Sequence, residues 1–165
     1  MDICQHLLIT DGERTALDVL QERVEILLME NSEEELRLIV IDPERKMLRL
    51  PQKTAQMMCP VINDIRMGLA AIQKVRQLIM ERYRNFAGVG ANNLTDYNQR
   101  ALPSLRIPPM VIAIADYDSF LQKAPKMFEE GIRHIARFSK AAGIYLYLAG
   151  HTEEGRETLK NWLGL

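Results

Sequence analysis

The sequence contains no run of about 20 consecutive apolar residues, the length a membrane-spanning helix needs, so no membrane association is expected of it. Its first residues, MDICQHLLIT, lack the basic start and long apolar centre of a secretory signal, and the expected compartment is cytoplasmic. Cysteine is scarce: Cys4 and Cys59 lie far apart, without the spacing of a metal site, and in a cytosolic chain they are expected to stay reduced. An excess of either charge is missing too. The formal net charge is -1, which argues against a strongly cationic chain built for free nucleic acid and leaves room only for a local basic patch. There are no internal repeats or low-complexity tracts. No Ser/His/Asp or Cys/His grouping has a spacing that supports nucleophilic catalysis.

What is present suits one folded domain spanning 1–165, because 47% of the 165 residues are hydrophobic and a chain of this length buries a sizeable core. Short apolar runs alternate with helical periodicity. HLLIT, residues 6–10, reads as a buried strand. Asp11 and Gly12 then turn the chain, and Thr10 or Asp11 caps a helix whose apolar face is Leu17, Leu20, Val24 and Leu27. Asn31 and Ser32 end that helix. Residues 36–41, LRLIVI, form the second strand, stopped by Asp42-Pro43. Residues 44–60 carry little pattern beyond a short extended piece at 47–50. From 64 to 86 the stripe Leu69, Ile72, Val75, Ile79, Tyr83 and Phe86 predicts a long helix ended by Gly88 and Gly90. Residues 92–109 read as a polar connection with prolines. A third strand spans 110–115, with Asp116, Tyr117 and Asp118 at its carboxyl end; a helix follows over 125–142, broken by Gly143. The fourth strand, 144–149, turns at Gly150-His151-Thr152 into a last helix carrying Leu159, Trp162 and Leu163. This alternation predicts a three-layer α/β domain, a mostly parallel sheet flanked by helices. In such sheets ligands bind beyond the carboxyl ends of the strands.

The order of these signals resembles the motor domain of the FtsK/SpoIIIE family of DNA translocases, a RecA-like P-loop NTPase. HLLI precedes the phosphate-loop position, and EELRLIVIDPE is similar to the family's second strand. MERYRNFAGVGANNLTDYN resembles its Gly-containing turn and YN pair. PPMVIAIADYDSFL occupies the Walker B place, and ARFSKAAGIYLYLAG is similar to the stretch ending in LATQ. The resemblance covers roughly residues 5 to 151 and implies ATP hydrolysis, Mg²⁺ and DNA for an intact member.

The departures fall on the catalytic elements. A Walker A loop, G-x-x-x-x-G-K-[ST], converges backbone amides and a Lys on phosphate. With Thr15 aligned to the final hydroxyl residue, Arg14 takes the Lys position, Glu13 the last Gly position, and the first Gly falls on Leu8. The loop is too short, and Glu13 repels polyphosphate. In the Walker B strand Ala115 stands at the metal-holding Asp and Asp116 at the catalytic Glu; a one-residue slip makes Asp116 the metal residue and puts Tyr117 in place of the Glu. His151 stands at the sensor Gln, with Gly150 for the preceding Thr.

Residues 11–15 are therefore read as a structural turn with a helix cap, against the alternative of residual anion binding by Gly12, Arg14 and Thr15. Asp116 and His151 occupy catalytic-like positions, and neither they nor Asp118 are read as a metal site. No resident cofactor is expected; ATP and Mg²⁺ are the only ligands the old loop would still recruit. Arg66, Lys74, Arg76, Arg82 and Arg84 read as a solvated helix face, and Met57, Met58, Met67 and Met80 as gap-filling core. His134 is expected to be exposed, and His6 an ordinary strand residue. Relative to the family the chain also stops early, which leaves residues 6–10 at an open sheet edge that the last helix or a partner would cover. The expected function is an interaction or assembly module related to DNA translocation that has lost ATP hydrolysis, with a protein partner or self-association and only weak DNA binding. The alternatives are an ATP-dependent DNA translocase that uses Arg14 and Asp116, and a DNA-binding module that needs no nucleotide.

Overall fold

The computed structural model describes residues 3–47 and 49–165. The second residue of the expected extended piece at 47–50, Leu48, lies outside the described residues, and Arg49 and Leu50 sit in a turn. Four strands, β1 (Leu7–Thr10), β2 (Arg37–Ile41), β3 (Met110–Ile114) and β4 (Ile144–Gly150), form one parallel sheet in the order β1-β4-β3-β2. Strands buried on both faces must be apolar throughout, and β3 and β4 are buried along their whole length.

Alternate strand residues feed two cores. Leu38, Val40, Val111, Ala113 and Ala149 point toward α1 (Ala16–Glu30), whose Leu20, Val24 and Leu27 are fully buried. Ile39, Ile41, Ile112, Ile114, Leu146 and Leu148 point to the opposite layer. That layer holds α2 (Ile65–Gly88), α4 (Tyr117–Lys123), α5 (Pro125–Ala142) and α6 (Glu153–Leu163). Each fully buried Leu, Ile or Phe contributes about 1.5–3 kcal/mol against exposure, so the period-2 alternation of the strands is what holds three layers together. In α2, Leu69, Ile72, Val75 and Ile79 face the sheet and α5 as their spacing predicts, while Phe86 at the helix end is buried in a separate cluster with Leu94 and Tyr97. Gly131 lets α5 approach: a Cβ there would meet Ile72 at 2.4 Å.

Several expectations need correction. Arg82 is not part of a solvated face. It is 6% exposed and donates to Ala142 O (2.7 Å) and Pro108 O (2.9 Å), tying α2 to the C-terminus of α5, where a cation meets the negative end of the helix dipole. Burial lowers the Arg82 pKa to about 10. Of the four methionines read as core only Met57 is buried; Met58, Met67 and Met80 are exposed. His6 is buried at the start of β1, where Nδ1 accepts from Leu146 N (3.0 Å) and Nε2 meets Ser139 Oγ (3.3 Å). Burial first, and Lys140 second, lower its pKa to about 4. His134 is half-buried against Phe138. The connection read as polar loop contains a further helix, α3 (Leu94–Arg100), pinned by Leu94 and Tyr97 against Phe86, and α4 begins directly after β3.

The two sheet edges differ. Residues 56–62 run along β2 and pair with it at Leu38 and Ile41, closing that edge. β1 forms the other edge, as expected, and no strand pairs with its outer side among the described residues. Leu8, Trp162 and Leu163 share one apolar core there, with Trp162 half-buried edge-on to Phe128 at 6.1 Å between ring centroids. No helix among the described residues is long and apolar enough to cross a membrane.

Candidate functional site

The carboxyl ends of β1, β3 and β4, with the turn after β2, form a cleft. Its β1 side is the turn at residues 11–15. Thr15 takes extended angles (φ −66, ψ 147) and caps α1, accepting from Asp18 N at 3.1 Å while its hydroxyl donates to Asp18 Oδ2 at 2.8 Å. Asp11 Oδ1 accepts from Ala16 N at 2.7 Å. The first-turn amides of α1 are the groups that would cradle an anion, and two of them are thus bonded to the protein's own side chains. Arg14 is exposed and its guanidinium pairs with Glu22, two turns along α1. That pairing raises its pKa further above the usual arginine range. Around Gly12 there is open space. Gly12, Arg14 and Thr15 therefore share one turn, with Arg14 directed outward and Thr15 bonded to its own helix.

The β3 and β4 side brings together what the sequence had separated. Asp116 caps α4, accepting from Ser119 N at 3.2 Å. Asp118 Oδ2 accepts from His151 N (2.7 Å) and Thr152 N (3.2 Å), and Oδ1 accepts from the Thr152 hydroxyl. His151 Nδ1 lies 3.1 Å from Asp118 Oδ2, and ligand atoms of Asp116, Asp118 and His151 fall within 4.8 Å of one another. The donor set does not fit the Mg²⁺ that the resemblance implies. Both oxygens of Asp118 are already bonded to the turn after β4, and Asp116 Oδ2 faces the Lys46 ammonium at 3.5 Å, where a second cation would be repelled.

Lys46 is the residue sequence reasoning missed. Asp42, buried at the end of β2, accepts from Lys46 N (2.9 Å) and Met47 N (2.8 Å), and Arg45 takes a left-handed φ of 55°. This tight turn carries Lys46 across to β3. The signal available was the short side chain of Asp42 beside Pro43, a turn former, but nothing in the pattern gave the direction of the lysine.

Tyr117 stands where a slipped register would need the catalytic Glu. It is fully buried, and its hydroxyl has no hydrogen-bond partner among the described residues. Burial, then Asp118, push its ionisation well above the usual tyrosine range. Its ring lies on Gly150: a Cβ there would sit 2.2 Å from Tyr117 Cζ. The hollow lined by Asp11, Thr15, Lys46, Asp116 and His151 holds ≈ 220 Å³, below the roughly 300–1,000 Å³ usual for small-molecule sites. A second hollow of ≈ 560 Å³ opens between α4 and α6, lined by Glu44, Asp118, Glu129, Glu154 and Trp162. Hydrogen bonds from Ser119 and Lys123 hold the Glu44 carboxyl below its usual range.

No family model matches the chain. It is 29% identical over 126 residues to the DNA translocase SftA of Bacillus subtilis, covering 74% of this chain and 13% of that protein. To the DNA translocase FtsK of Caldanaerobacter subterraneus it is 27% identical over 145 residues, covering 87% of this chain and 20% of the relative. The chain thus spans a fifth or less of these relatives' length. Among solved structures, the conjugation coupling protein TcpA of pCW3, described with ATPγS, superposes with a TM-score of 0.78 at 15% identity, over 99% of this chain and 48% of that one. EssC of Geobacillus thermodenitrificans gives 0.76 at 15% identity, over 96% and 30%. Thermomonospora curvata EccC, described in complex with a signal sequence peptide, gives 0.73 at 14%, over 96% and 30%. The chain is accordingly homologous to the FtsK/SpoIIIE DNA translocases and has the RecA-like fold of P-loop ATPase motor domains.

Proposed function

We propose that this chain is a translocase-related RecA-fold module that does not hydrolyse ATP and works in the cytoplasm by binding a protein, either another chain or a copy of itself. The observation that carries this reading is Asp11. Its carboxylate occupies the amide of Ala16 at the head of α1, where a phosphate would sit, while Arg14 is held away by Glu22. A carboxylate at a helix N-terminus is itself favourable, and a polyphosphate would have to displace it against like charge. No Mg²⁺ is resident on this reading, and DNA binds weakly to the isolated chain. The peptide complex of the EccC structure supports a protein partner for domains of this fold.

The rival reading, an ATP-dependent translocase with an atypical phosphate loop, rests on Lys46. This lysine supplies an ammonium beside Asp116 that the phosphate loop itself lacks. Calorimetry with ATP and Mg²⁺, with and without duplex DNA, separates the two. The proposed reading expects no heat of binding and a flat melting temperature across millimolar nucleotide. Turnover that Lys46→Ala or Asp116→Ala abolishes would establish the rival.

A further inference from the structure

The outer face of α2 and α5 is strongly cationic, although the chain as a whole is not. These two helices carry nine basic and three acidic residues, and of the nine only Arg82 is buried. Arg133 pairs with Glu129 along α5, but Arg66, Lys74, Arg84, Lys126, Arg137 and Lys140 have no ion-pair partner among the described residues. Across the sheet the balance reverses: from 13 to 35, α1 and its flanking turns carry eight acidic and two basic residues. Apolar side chains stand among the cations of α2 and α5. Met67, Met80 and Met127 are 61%, 45% and 51% exposed. Two hollows follow the seam between the helices, and Gln73 lines both. One, of ≈ 660 Å³, is apolar at Ile65, Leu69, Ala70 and Met127, with Arg66 beside them. The other, of ≈ 450 Å³, is lined by Arg76, Arg84, His134 and Met80, with Glu81 as its one acid. Burial first, then Arg76 and Arg137, lower the His134 pKa, so the ring is neutral at pH 7 and the positive charge of this hollow rests on its arginines.

We propose that the outer face of α2 and α5 is a docking surface for an anionic phospholipid membrane, with Arg76 and Arg84 taking lipid phosphate and Met80 and Met127 reaching into the headgroup layer. Lying on a bilayer needs no spanning run, only cations for the headgroups and apolar groups at the acyl boundary. Each Lys or Arg brought to an anionic surface multiplies partitioning about fivefold. Methionine suits such a boundary because its flexible thioether adapts to irregular surroundings. The same methionines argue against duplex nucleic acid, whose protein interfaces are polar and wet. No aromatic ring is among the exposed large apolar residues to stack on an unpaired base. The acidic α1 is repelled by the surface that attracts α2 and α5, so one orientation is favoured. That orientation leaves α1 and the cleft at the strand ends open to other partners. The inference goes beyond the protein-binding reading and does not depend on it.

Vesicle co-sedimentation of the full chain tests it, with phosphatidylcholine alone and with about one-third phosphatidylserine. The expected result is binding to the anionic vesicles only, strong at about 0.01 M salt and lost at about 1 M, as the screening length falls from about 30 to about 3 Å. Arg76→Glu/Arg84→Glu lowers partitioning at least about 25-fold, whereas Arg49→Glu/Arg106→Glu, an equal change of net charge away from this face, lowers it less than about fivefold. Met80→Ser/Met127→Ser weakens binding without changing its salt dependence. Equal binding to both kinds of vesicle, no binding to either, or equal losses in the two charge reversals overturns the proposal. So does a duplex oligonucleotide that binds this face when anionic vesicles do not. ATP turnover would remove the nucleotide-independent reading and leave the vesicle result untouched.

Discussion

A methyl group on Gly150 would penetrate the ring of a tyrosine that has no room to move, since Tyr117 is wholly buried between β4 and α6. Overpacking of this kind costs about 1–3 kcal/mol. Gly150→Ala is therefore expected to lower stability by about that amount in urea unfolding, and Tyr117→Leu is expected to offset part of the loss, giving a non-additive double-mutant cycle. From the sequence, Gly150 was legible only as a departure from a sensor threonine; the aromatic ring that requires it lies 33 positions away in the chain and could not be read. Asp11 has the same character. Its turn-forming role was evident, but its choice of the Ala16 amide was not. Asp11→Ala should cost about 1 kcal/mol, the usual loss on removing a side chain that satisfies a helix N-terminus. It should also free that terminus for anions, so that inorganic phosphate raises the melting temperature of the variant more than that of the parent. Equal responses to phosphate would show that Asp11 does not guard the position.

Long elements with a strong period were legible, and short ones fixed by tertiary contacts were not. Helix α5 matches its expected span because its apolar spacing runs for 18 residues and ends on Gly143 at a φ of 71°. Helix α3 has only seven residues and owes its place to Leu94 and Tyr97 meeting Phe86, and to Asn98, which holds both the amide (2.9 Å) and the carbonyl (2.8 Å) of Ile107. Helices that short are marginal without packing. The junction of β1 and β4 carries a pH dependence of its own. His6 lies where the Leu146 amide needs an acceptor, and only the neutral ring provides one at Nδ1. In the folded chain its pKa is about 4, against an ordinary 6.5. Above pH 6.5 both states leave it neutral and its contribution is complete. As pH falls from 6.5 toward 4 the unfolded chain takes up a proton that the folded chain refuses, so stability drops, by about 3 kcal/mol in all. Urea midpoints measured across that window should fall with pH, and His6→Gln, which cannot titrate, should flatten the slope. An unchanged slope in the variant would place the acid sensitivity elsewhere.

At the scale of the molecule, the formal net charge of -1 was a poor guide, because it averages an acidic α1 with a basic α2 and α5 on the opposite side of the sheet. Assigning helices to layers needs the sheet order, and the sheet order is not written in local pattern. The segregation has an energetic consequence for the isolated chain. Like charges within one layer are separated by about 5–6 Å at helical neighbours, whereas opposite charges on the two layers are separated by the sheet and two helix thicknesses, at least about 20 Å. Coulomb energy falls with distance and screening removes the longer-range attraction first, but at low salt the repulsion within each layer is the larger sum. The exposed pairs that relieve it, Arg14–Glu22, Arg49–Glu25 and Arg133–Glu129, are each worth at most about 1 kcal/mol. Raising salt from about 0.01 M to about 0.15 M shortens the screening length from about 30 to about 8 Å, which should weaken the repulsion and raise the melting temperature of dilute protein by a few degrees, equivalent to about 1 kcal/mol for a domain of this size. The charge-reversed chain Glu34→Lys, whose acidic helix end is partly neutralised while the Arg37–Glu33 pair is kept, should melt higher than the parent at low salt and converge with it as salt rises. A melting temperature that falls steadily with salt from the lowest concentration would mean that the local ion pairs, rather than the separation of charge between layers, dominate the electrostatics of the fold.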